Sequence, residues 1–295
     1  MRVFVTGASG FIGSAVVPEL IAKGHQVIGL ARSDASAATL TAAGAEVQRG
    51  ELADLESLSA GAKNADGVVH LAFTHDWANF AAAAAAEAKA LETIGAALAG
   101  SHKPLVLASG MLGLKPGQVV TETDRAPAAM ASPRRAGMAV AEGLAQQGVR
   151  VVFTRFSPAT HGRGDHGFMG VLVNTAREQG VSAYIGTGHQ RWSTCHRADA
   201  ATLIRLGLEK APPGSTNLHA AAEEGVRLRE VAEVIGKGLN LPVKAIAPSE
   251  AQAHFGFLAM FLAIDQPASN TLTRALTGWA PTHSGLLSDL AANYF

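Results

Sequence analysis

Three glycines spaced three apart, Gly7, Gly10 and Gly13, fall in the run Val5-Thr6-Gly7-Ala8-Ser9-Gly10-Phe11-Ile12-Gly13. Such a run can hold a phosphate without any charged side chain. Gly7 suits a tight turn, Gly10 close approach of the backbone to a pyrophosphate, and Gly13 close packing of a helix on a strand. The following helix would offer N–H groups and a partial positive charge, with Ser9, Phe11 and Ile12 on the same loop. The pattern is informative through its flanks. Val3-Phe4-Val5 before it reads as a buried parallel strand, and a helix opens at about Phe11.

A second chemically decisive position lies at the end of the next strand. A carboxylate there holds the 2′-hydroxyl of an adenosine ribose, whereas an arginine accommodates a 2′-phosphate. The strand Gln26 to Leu30 runs out as Ala31-Arg32-Ser33-Asp34. Ala31 takes the expected acid position, the Arg32 fork matches phosphate oxygens, and Ser33 can add a hydroxyl. Asp34 reads as the cap of the next helix. NADP(H) is therefore expected over NAD(H), the alternative being that Arg32 is an ordinary surface arginine.

The elements that must position these residues alternate. Helices are expected over about 11–23, 35–43, 77–99 and 131–147, and strands at 45–48, 67–71, 104–108 and 149–154. Strands and helices in this rhythm predict an α/β fold, a doubly wound parallel sheet of the Rossmann type. Residues 1–157 form the expected dinucleotide-binding domain. Residues 158–295 form a smaller C-terminal substrate lobe, with some segments returning to the sheet. In that lobe we expect a glycine-rich loop at 161–167 and helices near 168–179, 198–209, 227–239 and 284–292. Strands are expected at 182–185 and 216–219. The apolar stretch from Phe255 to Leu262 reads as a pocket wall, lobe core or subunit contact.

Composition narrows the function classes. The 295 residues carry 24 Lys plus Arg against 24 Asp plus Glu, so no net field draws in nucleic acid or an anionic membrane. The single cysteine, Cys195, excludes an internal disulfide framework. No apolar stretch approaches the roughly 20 residues of a membrane span, and no secretory leader is evident. The expected setting is cytoplasmic, with a small-molecule substrate. No metal is expected, because the histidines lack metal-ligand spacing and no cysteine pair exists.

These residues together resemble the extended short-chain dehydrogenase/reductases, also described as the NAD-dependent epimerase/dehydratase family. The matching segments are Thr6 to Gly13, Gly50-Glu51-Leu52, Val69-His70-Leu71-Ala72, Ser109 after the fifth strand, Arg155-Phe156-Ser157-Pro158 and His196-Arg197-Ala198-Asp199. The resemblance implies that Leu52 lies by the adenine, that Leu71, Ala72 and Phe73 line the cofactor, and that Phe156, Ser157 and Pro158 approach the nicotinamide. It also suggests a homodimer through the helices at 77–99 and 131–147.

The family's Tyr-x-x-x-Lys pair has no counterpart in this register. Taking Glu142 as the family's downstream glutamate puts Arg134 in the tyrosine slot and Met138 in the lysine slot. Arginine is a poor proton donor but a good anchor for an oxyanion. Ser109 could hydrogen-bond a substrate oxygen, or simply cap a loop. Glu87 falls where the family has an asparagine; it reads as an acid with a raised pKa, or as a solvated glutamate beside Lys89. His75 and His161 are further candidates on loops. The leading expectation is an NADPH-dependent oxidoreductase of a small or medium carbonyl compound, with Ser109, Arg134 and Glu87 at the reacting centre. The alternatives are an NADP(H)-binding sensor without turnover and a sugar-nucleotide epimerase or dehydratase.

Overall fold

The computed structural model describes residues 1–74, 79–125 and 133–295. The first elements are β1 (Arg2–Thr6), α1 (Gly13–Ala22), β2 (Gln26–Ala31), α2 (Asp34–Ala42), β3 (Glu46–Arg49), α3 (Leu55–Lys63), β4 (Gly67–His70) and α4 (Phe80–Leu98). After them come β5 (Pro104–Gly110), α5 (Arg135–Gln146), β6 (Arg150–Phe156), β7 (Ala159–His161), α6 (Phe168–Gln179), β8 (Ser182–Ile185), β9 (Arg191–His196) and α7 (Arg197–Lys210). The chain continues through β10 (Ser215–Ala220), β11 (Glu223–Arg227), α8 (Leu228–Leu239) and β12 (Val243–Ile246). It ends with α9 (Ala251–Phe255), α10 (Ala259–Leu262), α11 (Thr271–Thr277) and α12 (Leu286–Asn293).

Seven strands form one parallel sheet in the order β10-β6-β5-β4-β1-β2-β3. The order reverses between β1 and β4, which pair in register from Val3 with Gly67 to Thr6 with His70. In doubly wound sheets the ligand crevice opens at the carboxyl ends of the strands flanking such a reversal. The expected α/β fold is the fold observed.

The chain divides into two compact units. The first comprises residues 1–109, 128–154 and 201–218, and the second residues 110–127, 155–200 and 219–295. In the first, the buried side chains of Phe4, Leu58, Leu91, Ile94, Leu105 and Leu144 belong to one core. Two glycines permit this packing. A β-carbon on Gly61 of α3 would lie 2.5 Å from the Phe4 ring, and one on Gly95 of α4 would strike Leu144 of α5. The Asp54 carboxylate caps α3, accepting from Ser57 N at 3.0 Å.

In the second unit β11, β9 and β7 form a three-stranded sheet, and β12 pairs with β8. None of β7, β9, β11, β12 and α11 was expected. The stretch from Phe255 to Leu262 is a broken helix rather than one wall. Gly256 takes a left-handed backbone (φ +54°). Phe255, Leu258, Ala259 and Leu262 enter the core around Trp192, while Phe257 and Met260 face outward. Core packing therefore accounts for one side of the segment.

The Gly61–Phe4 approach makes a prediction. Gly61→Ala gains helix propensity but overpacks a rigid ring, so urea unfolding should show a net loss of roughly 1–2 kcal/mol.

Candidate active site

At the glycine turn, Gly7 has φ +66°, and a β-carbon there would lie 2.7 Å from Ala72 N and 2.8 Å from Leu71 C. The turn thus abuts the chain leaving β4. A β-carbon on Gly13 would collide with the carbonyl oxygens of Gly7 and Ala8. Its steric demand is set by the turn itself rather than by a strand, which refines the sequence reading. Gly10 is different: an added β-carbon would meet only Gly7 O at 3.2 Å, and the residue is exposed. Ile12 stands at the N-cap of α1 with no side-chain cap. A ten-residue helix entered from an open glycine turn, whose N-cap residue makes no side-chain cap hydrogen bond, fits a diphosphate. Ser9, Phe11 and Ile12 are half-buried along the turn.

At the end of β2, Arg32 is exposed and makes no hydrogen bond or ion pair among the described residues. Ser33, not Asp34, caps α2: its Oγ accepts from Ser36 N at 3.2 Å. Asp34 lies in the first turn of α2 and pairs with Arg49. The cap position precedes the first helical residue, and Ser33 occupies it with an extended backbone. Arg49 reaches this edge because β3 registers its Arg49 against Ala31 of β2. Leu52 is half-buried and packs against the core of the first unit.

At the end of β4 the Thr6 and His70 side chains meet, Oγ1 to Nδ1 at 2.9 Å, and Ala72 N donates to Thr6 Oγ1 at 3.2 Å. His70 is buried, and its Nε2 has no partner among the described residues. Burial, reinforced by the Arg134 charge, pushes its pKa down to about 4. The ring is therefore neutral near pH 7. Sequence reasoning treated His70 only as part of a matching segment. The β1–β4 register, which sets Thr6 opposite His70, brings the two side chains together.

The structure brings Glu87, Arg134 and Phe73 together. Arg134 stands at the N-cap of α5 and donates from Nε to Glu87 Oε2 at 2.9 Å and from Nη2 to Glu87 Oε1. Its Nη2 also reaches Ala108 O at 3.4 Å. The guanidinium carbon lies 4.2 Å from the centre of the Phe73 ring. Glu87, expected as an acid with a raised pKa or as a solvated glutamate beside Lys89, is not solvated. It is buried in α4 with both oxygens engaged by one guanidinium. Leu71 and Ala72 are half-buried on the chain leaving β4. Ser109 Oγ is buried without a partner among the described residues, so no loop-capping hydrogen bond explains it. Helix α5 carries neither tyrosine nor lysine.

Other expected residues lie in the second unit. Phe156 and Pro158 are half-buried, and the Ser157 hydroxyl donates to Ala220 O at 2.7 Å. His161 is not on an open loop. It ends β7, is buried, and pairs through Nδ1 with Asp289 Oδ2 at 2.8 Å. Tyr294 donates to Asp165 Oδ2 at 2.9 Å and accepts from Gly162 N at 3.1 Å, with burial raising its pKa. His75 lies outside the described residues. Among the described residues no cluster of three metal-ligating side chains occurs, and no helix is long and apolar enough to cross a membrane.

With this geometry in view, comparison with known proteins decides the lineage. The sequence profile of the NAD dependent epimerase/dehydratase family matches residues 3–218. The chain belongs to this family. It is 45% identical over 296 residues to the uncharacterized protein C2A9.02 of Schizosaccharomyces pombe, covering 100% of both chains. It is 29% identical over 222 residues to a Stigmatella aurantiaca protein described as 4-hydroxy-2-methyl-3-oxo-4-farnesyl-3,4-dihydroquinoline-1-oxide ketoreductase, spanning 72% of this chain and 66% of that one. Among solved structures, MoeE5 in complex with UDP-glucose and NAD superposes with a TM-score of 0.78 at 23% identity, covering 100% of this chain and 97% of that chain. That likeness shows the shared fold.

The buried histidine makes stability depend on pH. Its folded pKa lies below the unfolded value near 6.5, so the unfolded chain takes the proton first. Stability is full above pH 6.5 and lost as pH falls from there through about 4. Between pH 7 and 5 the loss from His70 should be about 2 kcal/mol. Denaturant titrations of native protein and His70→Asn at both pH values should differ in their pH dependence by that amount.

Proposed function

We propose that this chain is an NADP(H)-dependent oxidoreductase that transfers a hydride to a small or medium carbonyl compound. The observation that carries the reading is Arg32, an exposed guanidinium without a protein partner among the described residues, one residue beyond Ala31 at the end of β2. An arginine at that point favours a 2′-phosphate over a bare ribose. Membership of a family named for NAD dependence and likeness to a ketoreductase support the dinucleotide and the oxidoreductase class.

In this reading the turn from Gly7 to Gly13, with Ser9, Phe11 and Ile12, takes the diphosphate. Arg32 takes the extra phosphate, beside Ser33. Leu52, Leu71, Ala72 and Phe73 line the adenine and nicotinamide halves. The cofactor supplies the hydride, while the protein binds and orients. Arg134 and Ser109 hold the carbonyl oxygen, the first through charge and the second through its uncommitted hydroxyl.

Calorimetric titration tests the cofactor assignment directly. Arg32→Asp should weaken NADPH by roughly 10- to 100-fold, the worth of a charge-assisted hydrogen bond, and leave NADH within about threefold. Equal losses for both nucleotides would refute it. NADPH consumption against a panel of ketones and aldehydes should fall in Ser109→Ala and Arg134→Ala, with cofactor affinity retained.

A further inference from the structure

The Arg134 guanidinium is gripped on two sides. Two of its N–H groups meet both oxygens of Glu87, whose side chain is 3% exposed against 26% for Arg134. Beneath it lies the Phe73 ring, itself braced edge-on by Phe80 at 5.6 Å between ring centres. An arginine on the rim of a site would ordinarily retain much rotamer freedom. Here the bidentate pair and the aromatic face remove it.

We propose that Glu87 and Phe73 are positioning residues that fix the Arg134 guanidinium as a binding point for a phenolate-like oxyanion, and that the acceptor reduced here is a quinone or a similarly conjugated carbonyl. The inference rests on the carbonyl-reducing function proposed above. Its chemistry follows from what a guanidinium can do. It stays protonated throughout the working range, so it stabilises an anion but does not supply a proton. The alkoxide left by an ordinary ketone demands a proton donor. A conjugated acceptor instead yields an aryl oxide, whose conjugate acid resembles tyrosine with a pKa of about 10. Such an oxide can rest against Arg134 until it leaves. The acceptor takes a hydride at the ring carbon conjugate to the carbonyl held at Arg134, and the reduced nicotinamide is thereby oxidised. The ring C=C pair shifts and the carbonyl π pair moves onto the oxygen at Arg134. Transfer of the ring C–H proton through water to the other quinone oxygen then restores the aromatic ring, and the mono-oxide takes its last proton from water on release. A bidentate carboxylate fits less well than a single oxygen, because Glu87 already holds the Nε–Nη2 edge of the fork and Nη2 also reaches Ala108 O.

The test reads binding without cofactor. 4-Nitrophenol changes its visible absorption on ionising, so its apparent pKa can be followed in the presence of the protein. Native protein should lower that pKa by roughly one unit, the effect of a neighbouring opposite charge. Arg134→Ala, Arg134→Lys and Glu87→Ala should abolish the shift, and Phe73→Leu should reduce it. Glu87→Gln keeps one acceptor but sets its amide N–H groups against a guanidinium N–H, so it should retain only part of the shift. Its turnover of a benzoquinone with NADPH should fall in step with the retained shift, with an unchanged pH profile, as expected when a residue positions rather than donates a proton. The inference falls if native protein gives no shift, if Glu87→Ala keeps it, or if Glu87→Gln binds nitrophenolate yet loses turnover. Failure of the parent reading looks different: NADPH would not bind the native protein, whatever nitrophenol does.

Discussion

The crowding at the glycine turn sets the terms for the rest of the first unit. A side chain at Gly13 would overlap the carbonyls of Gly7 and Ala8, and one at Gly7 would press into the chain leaving β4. With both absent, α1 starts directly over the turn, and β1 and β4 exit side by side at the reversal of strand order. The Leu71–Phe73 segment lies half-buried beside the turn, and the β1–β4 register sets the Thr6 and His70 side chains together. In the proposed reading the turn takes a phosphate through its backbone, and that backbone geometry depends on the absence of two β-carbons.

Beside this turn lies a set of polar groups kept uncharged or charge-balanced by their surroundings. His70 is held neutral by burial and by the nearby guanidinium. Arg134 is paired with Glu87. Removing either partner of a buried ion pair leaves the other without compensation, so such pairs resist piecemeal change. The same environment that suppresses a proton on His70 gives Arg134 a low-dielectric setting, in which a fixed positive charge acts more strongly than at an open surface.

Much of the first unit was legible in the sequence because its strands are short apolar runs separated by amphipathic or alanine-rich helices. Strand β1 and helix α1 could be read with the turn between them. The second unit was harder. Strand β9 reads Arg-Trp-Ser-Thr-Cys-His, and its Ser193 and Thr194 are fully buried within a three-stranded sheet, so no alternation of apolar and polar residues marks it. Cap assignment at Ser33-Asp34 was ambiguous because both residue types cap helices, and only backbone geometry separates them. The Glu87–Arg134 pair was not legible as a pair. Its members lie on different helices, and a glutamate beside a lysine on an alanine-rich helix looks solvated. Chemistry at a single position can be read from residue type, but partnership across the fold requires the fold.

The strand order carries a consequence for biogenesis. β6 ends at Phe156, yet its outer neighbour β10 begins only at Ser215, after the intervening chain has contributed β7, α6, β8, β9 and α7. A nascent polypeptide released as far as β6 therefore presents an unpaired sheet margin, a template for adhesion to other chains. Completion must wait for a long-range pairing, which slows folding relative to local contacts. Chaperone demand during synthesis should accordingly concentrate in the interval between translation of β6 and translation of β10.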